Sequence, residues 1–341
     1  MPLHFPHAHP PAAGAKIEVA PDVFWLRMPL PFQLDHINLW LLRDGDGWTI
    51  VDTGFATDGV RAVWLQVLAE LDVPVRRLIV THFHPDHLGL ASWLMNETGA
   101  QLWMTTAEFL TAHAVWNEVG GHGARFMVEQ FRQHGLDGER LAKFEKRGSG
   151  YRMAVPGLPE YYHRLKAGDT VAVDGRKWRI LIGHGHSPEH MALYCAELDV
   201  LISGDMLLPK ISTNISVFAA TPEADSLGWF LESLGELARE IPERTLVLPS
   251  HGLPFTGVRA RIEELRSHHE DRLRALEEAC EDAPKSAAGL LDTLFQRALD
   301  THQTMFGMGE AIAHLNYLRE AGRLSCTTDA DGVIRFLRFQ H

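Results

Sequence analysis

Cysteine is scarce in this chain. Cys195, Cys280 and Cys326 stand far apart among 341 residues. Three scattered thiols make neither a disulfide framework nor a zinc knuckle. Their dispersal points to a reducing compartment, the cytoplasm. Long apolar runs are missing too, so no segment is expected to span a membrane. The first residues, 1–16, lack a basic stretch followed by an apolar one, so they do not read as a secretory signal. Their Pro, His and Ala content, with His4, His7 and His9, reads as a disordered tail rather than a metal site. Basic charge is in deficit, with 32 Lys and Arg against 44 Asp and Glu and a net charge of −12. That balance argues against binding to a nucleic acid backbone. A phosphate-cradling glycine loop is also absent, because Gly120-Gly121-His122-Gly123 is not a P-loop.

Histidine, by contrast, is abundant at 20 residues. The densest cluster is Thr81-His82-Phe83-His84-Pro85-Asp86-His87-Leu88-Gly89. It follows the apolar run Leu78-Ile79-Val80, which reads as a buried strand. His82 and His84 are two apart, so a strand-like backbone points both to one side. Asp86 is placed to cap a following helix. Imidazole and carboxylate together suit zinc, iron or manganese.

The same pattern recurs along the chain. Asp52 follows the strand Trp48-Thr49-Ile50-Val51. His184, His186 and His190 follow a strand over 177–182. Asp205 follows the strand 198–203, and His251 follows the strand 245–249. Ligands on rigid elements far apart in sequence are what a metal site requires. Helices are expected at 60–71, 88–96 and 221–241. A helical insertion is expected over 106–159, with helices at 106–119, 124–134 and 138–147, and reads as a lid. Met28-Pro29-Leu30-Pro31-Phe32 reads as an apolar loop able to overhang a site. After Gly257 the composition shifts to helices at 258–281, 286–300 and 308–321, then a hairpin around Thr328-Asp329-Ala330-Asp331-Gly332. This 258–341 segment reads as a winged-helix-like module. It holds 11 Lys and Arg against 14 Asp and Glu, so it suits packing or homodimer formation better than DNA reading.

Five blocks now resemble the metallo-β-lactamase superfamily in order and spacing. They are Val51-Asp52-Thr53-Gly54, the 82–87 cluster, Gly185-His186-Ser187, Gly204-Asp205 and Ser250-His251-Gly252. The resemblance covers roughly 19–257. It implies a mixed α/β, αββα metallo-β-lactamase sandwich over 17–257, interrupted by the 106–159 insertion. It also implies two divalent ions, zinc first, with iron or manganese as alternatives. His82, His84 and His186 would hold one ion. Asp86, His87 and His251 would hold the other, with Asp205 bridging. Asp52 would brace the ligand loop, while His184 and His190 would orient ligands or line the pocket. With Asp at 205 rather than Cys, the ligand set is similar to the hydrolase branches and not to the zinc β-lactamases.

The implied activity is hydrolysis of a small ester, thioester or lactone by a metal-bridging hydroxide, with Asp86 and Asp205 catalytic, in the ester-bond hydrolase class. The resemblance extends to the glyoxalase II and acyl-homoserine lactonase branches. Two other activities fit the same ligands: a single-strand-specific endoribonuclease, and a mononuclear iron enzyme like the persulfide dioxygenases. A degenerate binding protein is the non-enzymatic reading. The expected partner is a small-molecule substrate, with neither nucleic acid nor membrane involved.

Overall fold

The computed structural model describes residues 3–148 and 150–339. The chain divides into two compact units. One comprises Met1–Trp116, Tyr151–Thr213 and Ser233–Ile262, and the other Asn117–Gly150, Asn214–Glu232 and Glu263–His341.

The first unit contains two sheets. One has seven strands in chain order: β1 (Ile17–Ala20), β2 (Val23–Pro29), β3 (His36–Asp44), β4 (Gly47–Val51), β5 (Val75–Ile79), β6 (Gln101–Thr105) and β7 (His163–Leu165). β1 to β4 pair antiparallel and β4 to β7 parallel. The other has five strands, in the order β12 (Leu246–Pro249), β11 (Val200–Gly204), β10 (His190–Cys195), β9 (Arg176–Gly183) and β8 (Thr170–Val173). Its pairs are antiparallel except β11 with β12.

Alternation explains how the sheets meet. Trp25, Trp40, Leu42, Val51 and Ile79 from the first sheet join Trp178, Ile180, Leu193, Ile202 and Leu248 from the second in one buried cluster. Residues of opposite parity, such as Leu39, Leu41, Ile50 and Leu78, are buried on the first sheet's other face. The helix Asp58–Glu70 turns Val60, Trp64 and Val67 inward. The helix Ala91–Thr98 packs beside β5 and β6. Both faces of the first sheet are therefore covered, which is why β3 and β4 read as near-continuous apolar runs. This is the expected mixed α/β sandwich.

Several local expectations change. Met28 and Pro29 belong to β2, not to a loop, and Met28 is fully buried opposite Ile37. The apolar loop therefore begins at Leu30. Asp86 does not cap the helix after the His cluster. That helix is Pro85–Leu88, its cap position is His84, and Asp86 sits in the first turn. Pro85 starts it because a proline needs no N–H there. In the N-terminal segment, His4 and Thr256 form an antiparallel bridge, and the Phe5 ring lies 6.3 Å from Phe255.

In the second unit, the helices Ala124–Gln133 and Gly138–Arg147 meet through Phe131 and Phe144, whose rings are 5.6 Å apart. A central helix, Thr301–Glu320, buries Met308, Ile312 and Leu315. A hairpin of β13 (Leu324–Thr328) and β14 (Ile334–Arg338) follows. The helix expected over 286–300 is only a 3-10 turn, Ala288–Leu290, and one α turn, Leu291–Leu294. Lys285 exchanges two backbone hydrogen bonds with Phe336 and draws the preceding chain to the hairpin. The last long helix starts at Thr301, not 308, behind a capping box made by Asp300 and Gln303. No helix among the described residues is long and apolar enough to cross a membrane.

Candidate metal centre

The ligand-type side chains emerge at strand ends. Asp52 follows β4, the His82 segment follows β5, His186 follows β9, Asp205 follows β11 and His251 follows β12. β9, β11 and β12 run in one direction, because two antiparallel steps precede a parallel one. Backbone bonds join these ends across the two sheets: Met191 N–H donates to Thr81 O, and Asn38 N–H to Ser250 O. The whole site lies within the first unit.

Among the described residues, potential ligand atoms gather in two groups, each within 4.8 Å: His82, His84, His186 and Asp205, and Asp86, His87 and His251. In the first group His82 Nε2 lies 2.9 Å from His84 Nδ1 and 3.2 Å from His186 Nε2. His186 Nε2 is 3.3 Å from Asp205 Oδ2. In the second, His251 Nε2 is 3.5 Å from Asp86 Oδ2, and His87 Nε2 is 3.7 Å from it. Asp205 also faces this group, 3.6 Å from His87 and 3.5 Å from His251. Ligand bonds of about 2.0–2.1 Å in a tetrahedron give ligand–ligand edges of about 3.4 Å. The observed spacings fall around that value, and Asp205 stands where both groups share it.

The ring tautomers point the same way. His87 Nδ1 donates to Asp52 Oδ2 at 2.8 Å, which leaves Nε2 as a lone pair facing the site. That Nε2 and Asp205 Oδ1 are buried without a hydrogen-bond partner among the described residues. His251 Nδ1 donates to His36 O at 2.8 Å, again freeing Nε2. His82 Nδ1 lies 3.1 Å from Thr81 Oγ1, whose own proton goes to Asp52. Buried imidazole nitrogens and carboxylate oxygens that converge at these spacings suit a shared cation. The donor set therefore fits divalent metal ions.

The electrostatics agree. Burial, reinforced by neighbouring imidazoles, holds His82 well below its ordinary value, and burial pushes His84 down to about 3. Both stay neutral, as ligation requires. Burial would lower His87, but Asp52, Asp86 and Asp205 raise it well above normal, so these carboxylates draw positive charge, a proton or a metal ion, to its Nε2. Burial would raise Asp86, but His87 and His251 bring it down to about 2. Burial likewise opposes ionisation of Asp205, while His251 and His87 hold it well below the carboxylate range. Two fully ionised carboxylates are thus maintained in a buried pocket.

Other anticipated residues take different places. Asp52 braces the loop, accepting from Thr81 N and Thr81 Oγ1 as well as from His87. His190 is fully buried and accepts the Asp205 N–H at 3.0 Å through Nε2. His184 is exposed, and its Nδ1 lies 2.7 Å from Pro188 O in its own loop.

Several supporting residues were not anticipated. His36 accepts Gly252 N–H at 2.9 Å in addition to receiving His251. Asn38, fully buried, donates to Pro249 O and Gly252 O and accepts from Trp25 and Arg27. Glu108 and Tyr151 hold the Phe83 backbone. These residues act on neighbouring backbone groups, so nothing in their local spelling marks them.

Comparison with known proteins places this geometry in context. The family model for the metallo-beta-lactamase superfamily matches residues 33–251, and one for a metallo-beta-lactamase-like C-terminal domain matches residues 273–339. A crystal structure of a beta-lactamase domain protein from Burkholderia ambifaria is similar, with 47% identity, a TM-score of 0.92, and coverage of 99% of this chain and 98% of that one. A probable metallo-hydrolase of Bacillus subtilis is 24% identical over 310 residues, 87% of this chain and 92% of that protein. A hydroxyacylglutathione hydrolase of Haemophilus influenzae is 27% identical over 176 residues, 52% of this chain and 68% of that protein.

Proposed function

The chain belongs to the metallo-beta-lactamase superfamily, and from that premise we propose that it is a two-metal hydrolase acting on a small acyl thioester. The observation that carries the reading is the pair of adjoining ligand groups sharing Asp205. His82, His84 and His186 would hold one ion, Asp86, His87 and His251 the second, and Asp205 would face both. Bound there, the ions supply Lewis acidity toward an acyl oxygen and acidify water near neutral pH.

The chain's own residues do the rest. Asp86 stays a carboxylate with Oδ2 turned to His87 and His251, and its other oxygen would accept a hydrogen bond from a water and orient it. Burial of the His cluster keeps bulk water away from the reacting group. Phe32 and Phe55 meet edge to face, 5.3 Å apart. Phe55 follows the Asp52-Thr53-Gly54 turn, and Phe32 stands four residues before His36. This aromatic pair is suited to an apolar acyl portion. The thioester assignment draws on the hydroxyacylglutathione hydrolase relative.

The test is hydrolysis of hydroxyacyl-glutathione and simple thioesters by zinc- or manganese-loaded protein, with lactones and oxygen esters alongside. Thioester cleavage is expected, with His84→Ala inactive. A fully loaded protein that cleaves only lactones, or nothing on the panel, overturns the thioester reading.

A further inference from the structure

The buried side chain of Glu108 takes no part in either ligand group. It lies near the start of the helix Thr106–Asn117 and is fully buried. Its Oε2 accepts Phe83 N–H at 3.0 Å. Its Oε1 accepts Ser187 Oγ–H at 2.6 Å and Glu189 N–H at 2.7 Å. Phe83 lies between His82 and His84, and Ser187 follows His186. One carboxylate therefore ties together the two chain segments, 104 residues apart, that bring His82 Nε2 and His186 Nε2 to 3.2 Å. From the other side, Tyr151 O–H donates to Phe83 O at 2.6 Å. Both backbone groups of the residue between two imidazoles are thus held by side chains from elsewhere.

The chemistry of the three partners is specific. Each is a donor, and an ionised carboxylate is acceptor-only. An amide in its place turns an NH2 toward at least one of these donors. The second ligand group has supports that do not involve Glu108. His87 O accepts Thr53 N–H at 2.8 Å and Thr53 Oγ–H at 2.6 Å, and its ring is held by Asp52. His251 is held by His36. A buried Glu that only filled the core would bear on both groups alike.

We propose that Glu108 is a positioning residue that sets the spacing of His82 and His84 against His186 and so governs the affinity of one ion, not both. The inference rests on the two-ion reading above.

The experiment is a chelator-buffered titration of the full chain with zinc and with cobalt, read by bound metal and by cobalt absorbance. It compares wild type, Glu108→Gln, Glu108→Ala and Asp52→Asn. Thermal unfolding of the metal-free proteins runs beside it. Glu108→Gln is expected to weaken one ion at least about tenfold and leave the other within about twofold. Asp52→Asn, which disturbs His87 directly and His82 through Thr81, is expected to weaken both ions, so its cobalt spectrum differs from that of Glu108→Gln. If Glu108→Ala does not fold, Glu108→Gln decides. Equal weakening of both ions in Glu108→Gln, or wild-type affinity for both, overturns the proposal. A wild-type chain that takes up no metal removes the two-ion reading and this inference with it. Normal wild-type uptake with an unchanged Glu108→Gln variant removes only the role of Glu108.

Discussion

Oδ2 of Asp52 lies 2.8 Å from Nδ1 of His87, and this contact fixes which nitrogen of His87 faces the site. Asp52 adopts a left-handed backbone, with φ 63°. Asn tolerates that conformation nearly as well as Asp. Asp52→Asn therefore spares the backbone but turns an NH2 toward Thr81 or His87, which both donate. It should weaken the ion held by Asp86, His87 and His251 by about 10–100-fold, weaken the other through Thr81 and His82, and leave the fold intact. Metal titration with circular dichroism checks this, and unchanged affinity for both ions would contradict it.

Asn38 carries the neighbouring loop. Its amide meets two carbonyls and two donors from Pro249, Gly252, Trp25 and Arg27. Truncation leaves several buried polar groups unpaired, at about 1–3 kcal/mol for each one that water cannot reach. Asn38→Ala should lower stability by about 2–4 kcal/mol in denaturant unfolding. A loss below about 0.5 kcal/mol, the range of surface substitutions, would show that the network is not needed.

Gly204 is pressed against His190. Its φ is +55°, and an added Cβ would lie 2.3 Å from His190 Cε1. Alanine there is strained and displaces the ring that accepts the Asp205 N–H. Gly204→Ala should destabilise the chain by about 1–3 kcal/mol and reduce metal affinity together with stability. A variant with wild-type unfolding and metal content would refute the packing argument.

A second histidine pair predicts a pH effect. His269 Nδ1 lies 3.1 Å from His314 Nε2, and His314 Nδ1 donates to Glu310 O at 2.8 Å. Both rings are fully buried. Burial, then the facing His314, His268 and Arg272, brings His269 down to about 2. Burial brings His314 down to about 3, against a small opposing pull from the Glu310 carbonyl. Arg272 also pairs with Glu310, whose carboxyl burial pushes up. The unfolded chain takes up protons near pH 6.5 and the folded chain does not. Stability is therefore full above about 6.5 and falls as pH drops toward 3, by roughly 1.4 kcal/mol per pH unit for each such histidine. Denaturant unfolding between pH 7.5 and 5 checks this, with a His269→Phe, His314→Leu variant expected to flatten the slope. An equally steep slope in that variant would place the acid sensitivity elsewhere.

The ligand residues are legible in the sequence because each stands just past a short apolar strand, and strand ends meet at one edge of paired sheets. His82, His186, Asp205 and His251 show this. The sheets are legible for the same reason, since Trp40 and Ile50 sit in near-continuous apolar runs. What escapes is whatever acts through the backbone of another segment. Glu108 looks like an ordinary helical Glu until its partners, Phe83, Ser187 and Glu189, are seen. His36 precedes an apolar strand and gives no hint that its carbonyl receives His251. The 286–300 segment has helix-forming residues, but Lys285 pairs with Phe336, and that tertiary pairing outweighs local propensity. The start of the last helix was readable, since Asp300 and Gln303 spell a capping box.

In the proposed function the two ligand groups sharing Asp205 hold two ions. Metal analysis of the wild-type chain after equilibration with zinc tests it most directly. Two ions per chain are expected, falling when His84 or His251 is replaced by Ala. One ion per chain at saturation, or none, would contradict it.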